Sequence, residues 1–497
     1  MARRRRKKAQ ASTPVHQQTS APPAHQQTAA GFSLPTRWGY AILVLTILGF
    51  AAIRYRLREM PLERDEGEFA YIGQLILRGI APFSLGTGGY TMKLPGTPAV
   101  YAAIMAIFGQ TPAGIHLGFL LVNAATSVLI YFLGVRLSGK FGAVVAAASY
   151  ASLSTNGLVL GLAFHSEHLV VLAALGGILL LLKALESERN WLFCASGLLF
   201  GLAYLMKQAG MAFAVFGFLF LIKSEWKRPV DWGRLMPKVV GFALGVALPF
   251  YLTCLILAAS GVFKTFWFWT VDYASAYASE IGFSESLRMF MRSFPPLADA
   301  GVAIGHPHFR LMPRDYGQWI IAAVGLTAFS WHRENRRHLF FVGGLLFFSF
   351  LAVCPGFYFR QNYFVQMLPA VALLAGIAVN SAIHIRARHG LLLTAIPVLL
   401  FLIAFAWTVA KDRRFLFELN PPDACRYAYG SQPFPEAVEV GNYIGTHASK
   451  DARIAVLGSE PEILFYAKRL SATGTIYMYG LFEQQRFALQ MQKANDR

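Results

Sequence analysis

Long apolar runs alternate with short polar junctions along most of the chain. The runs approach the length of about 20 residues that an α-helix needs to cross a bilayer. The predicted spans are 38–53, 117–135, 141–164, 169–182, 191–206, 211–222, 239–259, 319–330, 339–353, 364–383 and 391–410. The pattern therefore predicts an all-α integral membrane bundle of about eleven transmembrane helices.

The positions of the basic residues predict how the bundle is oriented. Arg136 and Lys140 follow the second span, and Lys and Arg recur at every second junction after it. Cytoplasmic loops carry an excess of these residues, so this side is predicted to be cytoplasmic, together with the N-terminus. The first loop, 54–116, and the region after 411 are then extracytoplasmic. We expect an integral protein of a bacterial inner (plasma) membrane.

Two stretches before the second span depart from the apolar pattern. Residues 1–37 begin with a basic cluster and continue rich in Gln, Pro, Ala and Thr. Such a composition cannot bury a core, so a disordered basic cytoplasmic tail is predicted. In the first loop, apolar periodicity predicts a helix over 66–78. The apolar segment 98–108 is short and is predicted to lie at the membrane interface.

The region 411–497 changes character, because Gly, Pro and charged residues return. Its local patterns predict helices at 436–447 and 461–468. They predict strands at 453–457 and 475–479. We therefore predict a membrane domain at 38–410 followed by a small extracytoplasmic α/β domain at 411–497. An incomplete domain is one interpretation, since no closing element is evident near its end.

Composition supports the membrane assignment and excludes other classes. The chain is 55% hydrophobic and 14% charged with a mean hydropathy of +0.45, whereas soluble domains have about 25% charged residues. The net charge is +19, and the basic residues cluster at the ends of the spans. Orientation in the membrane therefore explains this charge, and no nucleic-acid partner is expected. The four cysteines are scattered without a CxxC pair, which signals neither a zinc site nor a disulfide framework.

Charged residues beside a bilayer are costly and usually have a task. The predicted orientation brings one set to the outer face: Asp65, Glu66, Lys93, Glu167, Lys207 and Arg360. Glu68, in the same acidic stretch, is expected to face water. Inner junctions carry no comparable acidic set, because their acidic residues are interspersed with Lys and Arg. Chemistry is therefore predicted on the outer face.

Carboxylates beside cations at a membrane surface suit glycosyl transfer from a polyprenyl-phosphate sugar. Asp65 is predicted to be the general base that accepts the proton of the acceptor hydroxyl, with Glu66 as a supporting candidate. A developing negative charge on the donor phosphate would be stabilised by cations, and the predicted phosphate ligands are Lys93, Arg360 and Lys207. Glu167 would either orient the acceptor or bind a divalent metal together with Asp65.

The stretch 64–71, Arg-Asp-Glu-Gly-Glu-Phe-Ala-Tyr, and the later Lys93–Leu94–Pro95 carry a family resemblance. They resemble the first-loop signature of the GT-C glycosyltransferases, in the branch that includes dolichyl-phosphate-mannose protein mannosyltransferases, aminoarabinose transferase-like proteins and lipopolysaccharide-core glycosyltransferase-like proteins.

The resemblance implies inverting transfer from a polyprenyl-phosphate sugar to a lipid, glycan or protein acceptor on the extracytoplasmic face. It implies that Asp65 matches the catalytic Asp and Lys93 the Lys of a Lys-Pro-Pro element, in which Leu94 replaces the first Pro. Met92 stands where some relatives carry a metal-binding Glu, so the need for a divalent metal stays open. No other cofactor is expected.

Other interpretations of these features stay open. A transporter or flippase for a lipid-linked sugar is the alternative function, although such proteins tend to place charges near the bilayer midplane and to contain internal repeats. The pairs His165 and His168, and His306 and His308, lack an evident third metal ligand. The aromatic run 266–269 favours an interfacial belt over a sugar-binding platform.

Overall fold

The computed structural model describes residues 35–478 apart from 85, 88, 227–228, 295–315, 332–335 and 387–390, and also 481, 487–488 and 492–493. Residues 1–34 of the predicted tail, and the His306 and His308 pair, lie outside these residues. Residues 36–37, which the sequence also assigns to the disordered tail, instead begin the first helix.

Helices account for nearly all regular structure up to Lys411. The first eight are α1 (Thr36–Arg56), α2 (Arg64–Leu77), α3 (Gly96–Phe108), α4 (Pro112–Leu153), α5 (Ser166–Ser187), α6 (Asn190–Met206), α7 (Met211–Glu225) and α8 (Trp232–Ala259). They are followed by α9 (Phe263–Trp267), α10 (Ala274–Ala278), α11 (Phe283–Ser293), α12 (Gly317–Trp331), α13 (Leu339–Val353), α14 (Leu368–Arg386) and α15 (Leu391–Lys411). A π-helix at Phe268–Tyr273 links α9 to α10, and short 3-10 helices lie at Gly157–Val159, Gln208–Gly210, Pro355–Phe357 and Gln361–Met367.

Helix length and composition confirm the membrane prediction. Among the described residues, 6 helices are long and apolar enough to span a membrane: Thr36–Arg56, Pro112–Leu153, Ser166–Ser187, Gln208–Glu225, Trp232–Ala259 and Gln361–His384. Shorter apolar helices lie at Gly96–Phe108, Asn190–Met206, Gly317–Phe329, Leu339–Val353 and Ala395–Lys411. Because α4 is kinked at Ser138 and Gly139, it supplies two of the predicted spans. All the shorter helices except α3 also coincide with predicted spans.

The predicted span 141–164 is wrong in its second half. Helix α4 ends at Leu153, and the chain continues as a buried loop with one short 3-10 helix. Arg54 replaces the missing helical hydrogen bonds, since its guanidinium donates to the carbonyls of Ser154 and Gly161 at 2.8 and 2.9 Å. Irregular backbone is tolerated in a membrane protein where protein rather than lipid surrounds it. The segment is apolar because it is buried inside the protein.

Small residues let the spans approach closely. A Cβ added at Gly197 of α6 would lie 2.1 Å from the carbonyl oxygen of Phe242 in α8, and one added at Gly245 would lie 2.2 Å from that of Cys194. Any larger side chain at either position would force the two helices apart. Such close contact is how membrane helices gain packing energy without a hydrophobic driving force.

The chain after Lys411 packs on the first loop. Its elements are a π-helix at Arg414–Glu418, α16 (Pro421–Tyr429), α17 (Phe434–His447), β1 (Arg453–Ile454), α18 (Glu462–Ala467) and β2 (Leu470–Ser471). β1 and β2 pair in parallel. The predicted strand at 475–479 is wrong within the described residues, because β2 lies earlier and Thr475 instead forms an isolated parallel bridge with Tyr90.

Helix α18 lies directly against α2. A Cβ at Gly67 would come within 2.6 Å of the Cβ of Glu462, so this glycine allows the two helices to touch. The Tyr466 hydroxyl accepts a hydrogen bond from the Leu62 N–H at 2.9 Å. The first loop and the C-terminal region therefore share one interface, which helps to fix the position of α2. The division at 411 into separate domains stays a prediction.

Candidate functional site

The acidic stretch of the first loop begins helix α2. Glu63 is the N-cap: its side chain accepts from the Glu66 N–H at 3.0 Å, and the Glu66 side chain accepts from the Glu63 N–H at 3.2 Å. This reciprocal capping box fixes the first turn. Asp65 lies in that turn, where the helix dipole favours negative charge. Local sequence thus determines where the Asp65 carboxylate projects.

Asp65 is surrounded by cations. Its Oδ1 lies 2.8 Å from Lys93 Nζ, and its side chain is 34% exposed, so a second molecule could reach it. Burial would raise the pKa of Asp65, but Lys93 and then His165 outweigh it and hold the pKa well below its usual range. Lys207 acts in the same direction. The carboxylate is therefore ionised at neutral pH.

Lys93 is shared between two carboxylates, because its Nζ also lies 2.6 Å from Glu68 Oε2. Burial would lower the pKa of Lys93, but Asp65 and Glu68 raise it above its usual range. The expectation that Glu68 faces water is wrong. Its side chain is fully buried and accepts hydrogen bonds from Thr91 Oγ1 and, at 2.5 Å, from the Tyr477 hydroxyl.

Glu66 points away from Asp65 into the protein. It is fully buried and accepts a 2.6 Å hydrogen bond from the Phe164 N–H, and it also pairs with His116 Nε2 at 3.1 Å. Burial would raise the pKa of Glu66, but His116 and the Phe164 N–H lower it. All of its partners belong to the protein, so this carboxylate ties α2 to α4 and to the buried loop after α4.

Glu167, at the first turn of α5, forms a second cluster. Its buried carboxylate pairs with Lys207 and accepts a hydrogen bond from Asn362 Nδ2 at 3.2 Å. The Lys207 ammonium also lies 3.8 Å from the centroid of the Tyr363 ring. The charge of Lys207 lowers the pKa of Asp65, and the charge of Glu167 raises the pKa of His165. The structure therefore brings these predicted residues into one region.

Arg360 borders the same region from a tight turn after α13. Phe357 and Phe359 have φ values of 56° and 43°, a left-handed backbone that strains non-glycine residues, and such strain concentrates at functional sites. The exposed Arg360 guanidinium lies 5.5 Å from the centroid of Tyr358, contacts Tyr277 and interacts with Asp65 through charge. Its charge thus acts on the region around Asp65.

Three residues could hold a metal ion. Glu63, Asp65 and His165 each offer one ligand atom, and these atoms lie within 4.8 Å of one another. One imidazole and two carboxylates match a zinc-type ligand set that leaves a coordination position open. His165 Nε2 lies 3.2 Å from Glu63 Oε1, and although burial would lower the pKa of His165, Glu63 raises it to about 9. A metal would have to displace that proton.

This grouping differs from the predicted metal pair of Asp65 and Glu167, because Glu167 is held by Lys207 and Asn362 instead. His168, the other histidine near α5, is buried against the Phe119 ring at 4.6 Å between centroids. It lies outside the three-residue group. Two further site residues were absent from the sequence prediction, Glu63 and Tyr477. The spacing between Glu63 and Glu66 predicts that Glu63 is an N-cap, whereas no local sequence pattern identifies Tyr477 as a site residue.

Comparisons with known proteins agree with this architecture. Residues 93–256 match the family model described as dolichyl-phosphate-mannose-protein mannosyltransferase. The matched range contains Lys93, Glu167 and Lys207 but neither Asp65 nor Arg360. Comparison with curated proteins gave no match.

Two solved structures share the fold. ArnT from Cupriavidus metallidurans bound to undecaprenyl phosphate is 17% identical with a TM-score of 0.54, over 88% of this chain and 86% of ArnT. The oligosaccharyltransferase AglB from Archaeoglobus fulgidus, in complex with an inhibitory peptide and a dolichol-phosphate, is 14% identical with a TM-score of 0.50, over 88% of this chain and 64% of AglB. The chain thus spans less than two thirds of that archaeal protein. These matches confirm the resemblance predicted from the sequence: this is an integral membrane protein with the fold of the GT-C glycosyltransferases.

Proposed function

We propose that the protein transfers a sugar from a polyprenyl-phosphate donor to a lipid, glycan or protein acceptor, with inversion, on the extracytoplasmic side of the membrane. One observation carries the proposal: Asp65 is ionised and partly exposed, it pairs with Lys93, and the charges of Lys207 and Arg360 act on it. A base beside several cations is what a reaction needs when it removes a proton and releases a phosphate.

Asp65 is proposed as the general base. Its low pKa keeps it ionised but makes it a weak base while Lys93 neutralises it. An arriving donor phosphate would compete for the Lys93 ammonium, and the basicity of Asp65 would then rise. The carboxylate would accept the acceptor proton as the acceptor oxygen attacks the anomeric carbon and the bond to the lipid phosphate breaks. Donor binding would thereby activate the base.

Lys93, Arg360 and Lys207 are proposed to bind the departing phosphate, since fixed cations stabilise the charge that develops there. Glu167 would hold Lys207 in place through their ion pair. Glu66 would position α2 without touching substrate. If the enzyme uses a divalent metal, Glu63, Asp65 and His165 would hold it, and the metal would supply positive charge beside the donor phosphate.

The structural neighbours support a lipid-phosphate ligand. ArnT was solved with undecaprenyl phosphate, and AglB with a dolichol-phosphate and an inhibitory peptide. AglB was also solved with Zn and sulfate, at 13% identity and a TM-score of 0.50. A polyprenyl phosphate is therefore the proposed donor carrier here, and a peptide is one of the acceptor classes to test.

Reconstitution of the full chain in proteoliposomes tests the proposal. Undecaprenyl-phosphate sugars, labelled in the sugar, are supplied with candidate lipid, glycan and peptide acceptors. The expected result is a labelled glycosidic product and an equal amount of free undecaprenyl phosphate. Movement of the labelled lipid between leaflets without any glycosidic product would contradict the proposal and favour a flippase.

A further inference from the structure

Helix α11 (Phe283–Ser293) adjoins the ends of two apolar helices of the bundle. It packs against the 3-10 turn Pro355–Phe357, which directly follows α13. Just after α11, the Phe294 ring lies 5.4 Å from the ring of Trp319 in the first turn of α12. The ends of membrane helices lie where a bilayer changes from acyl chains to polar headgroups. Helix α11 is therefore placed beside that boundary.

The inner face of α11 is covered by the protein. Ser286 is buried, and Met289 and Phe290 pack against the main hydrophobic core. The centroid of the Phe290 ring lies 5.2 Å from that of Phe359 and 6.0 Å from that of Phe350. These contacts fix the rotation of the helix and so determine which of its side chains stay uncovered.

A second side of α11 is apolar and uncovered. Phe283, Leu287 and Met291 are spaced four residues apart, so they form one stripe along the helix. Their side chains are 85%, 53% and 48% exposed. A single exposed apolar side chain is ordinary, but three in one row on a short helix indicate a surface that binds something apolar.

Two arginines lie beside this stripe. Arg288 and Arg292 are exposed, and each follows a stripe residue, which places it about 100° further around the helix. Arg288 forms an ion pair with Glu285 at 2.5 Å. Because exposed pairs of this kind contribute little, another anion can compete for the guanidinium. Arg292 has no ion-pair partner among the described residues, and a guanidinium can bind a phosphate through two N–H groups at once.

An apolar stripe beside basic residues is typical of a helix that lies in the plane of a membrane surface. We propose that α11 is a binding surface for anionic phospholipids. Phe283, Leu287 and Met291 enter the acyl-chain boundary, and Arg288 and Arg292 bind the headgroup phosphates. An anionic surface fits better than a neutral one, because the basic residues of the helix outnumber its one acidic residue. This inference does not depend on the proposed transfer reaction.

Native mass spectrometry of the full chain in detergent tests the preference for charge. The protein is titrated with dioleoyl phosphatidylglycerol, which is anionic, and with dioleoyl phosphatidylcholine, which is neutral overall. Wild type should bind the anionic lipid at least about fivefold more tightly, the gain that one basic residue near an anionic surface provides. Arg288→Gln/Arg292→Gln should lose most of this preference. Arg413→Gln/Arg414→Gln, which removes two exposed arginines just after α15, is the matched control and should keep it.

Three results of this titration would overturn the proposal. They are no preference in wild type, an undiminished preference in Arg288→Gln/Arg292→Gln, and an equal loss in both double variants. The last result would mean that general surface charge, rather than α11, attracts the lipid.

Photo-cross-linking tests where α11 lies. Wild-type protein in nanodiscs that contain a phosphatidylglycerol with a diazirine in its acyl chain is irradiated, and the modified peptides are mapped by mass spectrometry. Lipid adducts should form on 283–291 and on the apolar helix α8, but not on α17, although Tyr443 of α17 is 63% exposed. Adducts on α8 without any on 283–291 would overturn the proposal and would favour a protein partner for the stripe. Adducts as frequent on α17 as on 283–291 would also contradict it.

Discussion

The ammonium group of Lys93 lies 2.8 Å from Oδ1 of Asp65 and 2.6 Å from Oε2 of Glu68, so one cation joins the proposed base to a buried carboxylate. Tyr477 donates to that same buried carboxylate. The first loop and the C-terminal region therefore meet at Lys93. The charges around Asp65 therefore depend on how the first loop and the C-terminal region pack together.

Replacing Lys93 with Met should reduce kcat/KM by about 10²- to 10³-fold, the usual effect of removing one group that stabilises a developing anion. The acid limb of the kcat/KM profile should also move to higher pH, because the pKa of Asp65 rises when its main cation is lost. Initial-rate kinetics across pH measure both effects. Arg78→Gln, at an exposed arginine that ends α2, is the control and should change neither. An unaltered acid limb in Lys93→Met would show that the pair does not set the ionisation of the base.

Glu66→Gln should lower stability rather than catalysis. The amide group cannot accept from all of the donors that Glu66 binds, so the loss is on the order of 1–3 kcal/mol. Thermal unfolding should show a lower Tm, while kcat per folded molecule stays within about threefold of wild type. The exposed Glu59→Gln serves as the control for Tm. A collapse of kcat at unchanged Tm would instead place Glu66 in the chemistry.

Glu462→Gln should stabilise the protein at pH 8. Burial raises the pKa of Glu462 well above its usual value, and neither carboxylate oxygen has a hydrogen-bond partner among the described residues. A carboxyl group with a raised folded-state pKa destabilises the fold as pH rises above its unfolded pKa of about 4.3. The variant should therefore unfold at a higher Tm than wild type at pH 8 and at the same Tm near pH 4. A lower Tm at pH 8 would mean that the carboxylate has a partner that stabilises it.

Binding of Zn²⁺ or Mn²⁺, measured by titration calorimetry on the chelator-treated protein, tests the metal site. Glu63→Gln and His165→Gln should each weaken binding at least tenfold, and binding should weaken as pH falls because His165 must lose its proton. Glu167→Gln is the matched control and should retain affinity. If Glu167→Gln abolishes binding and Glu63→Gln does not, the metal lies between Asp65 and Glu167, as the sequence suggested.

Much of the fold was predictable because its signals are local. Apolar runs and basic junctions identify the spans, and the acidic first turn of α2 follows from the helix pattern around Asp65. The position of Glu68 beside Asp65 was also within reach, since residues three apart share a helix face.

Other features depend on contacts that no local pattern records. The sequence of the loop after α4 predicts a membrane span, because burial in protein and burial in lipid select the same apolar residues. The Tyr477 contact with Glu68 joins residues 409 positions apart. The grouping of Glu63 with His165 likewise depends on how the first loop packs against α5. Sequence therefore identified the charged residues, whereas packing determined which of them pair.

Turnover of Asp65→Asn tests the central claim most directly. The asparagine keeps the shape of the side chain but cannot accept a proton, so transfer from undecaprenyl-phosphate sugar should fall by at least about 10²-fold. Tm should stay near that of wild type, and Asp65→Glu should retain part of the activity. Wild-type turnover by folded Asp65→Asn would contradict the account, because the carboxylate would then not be the base.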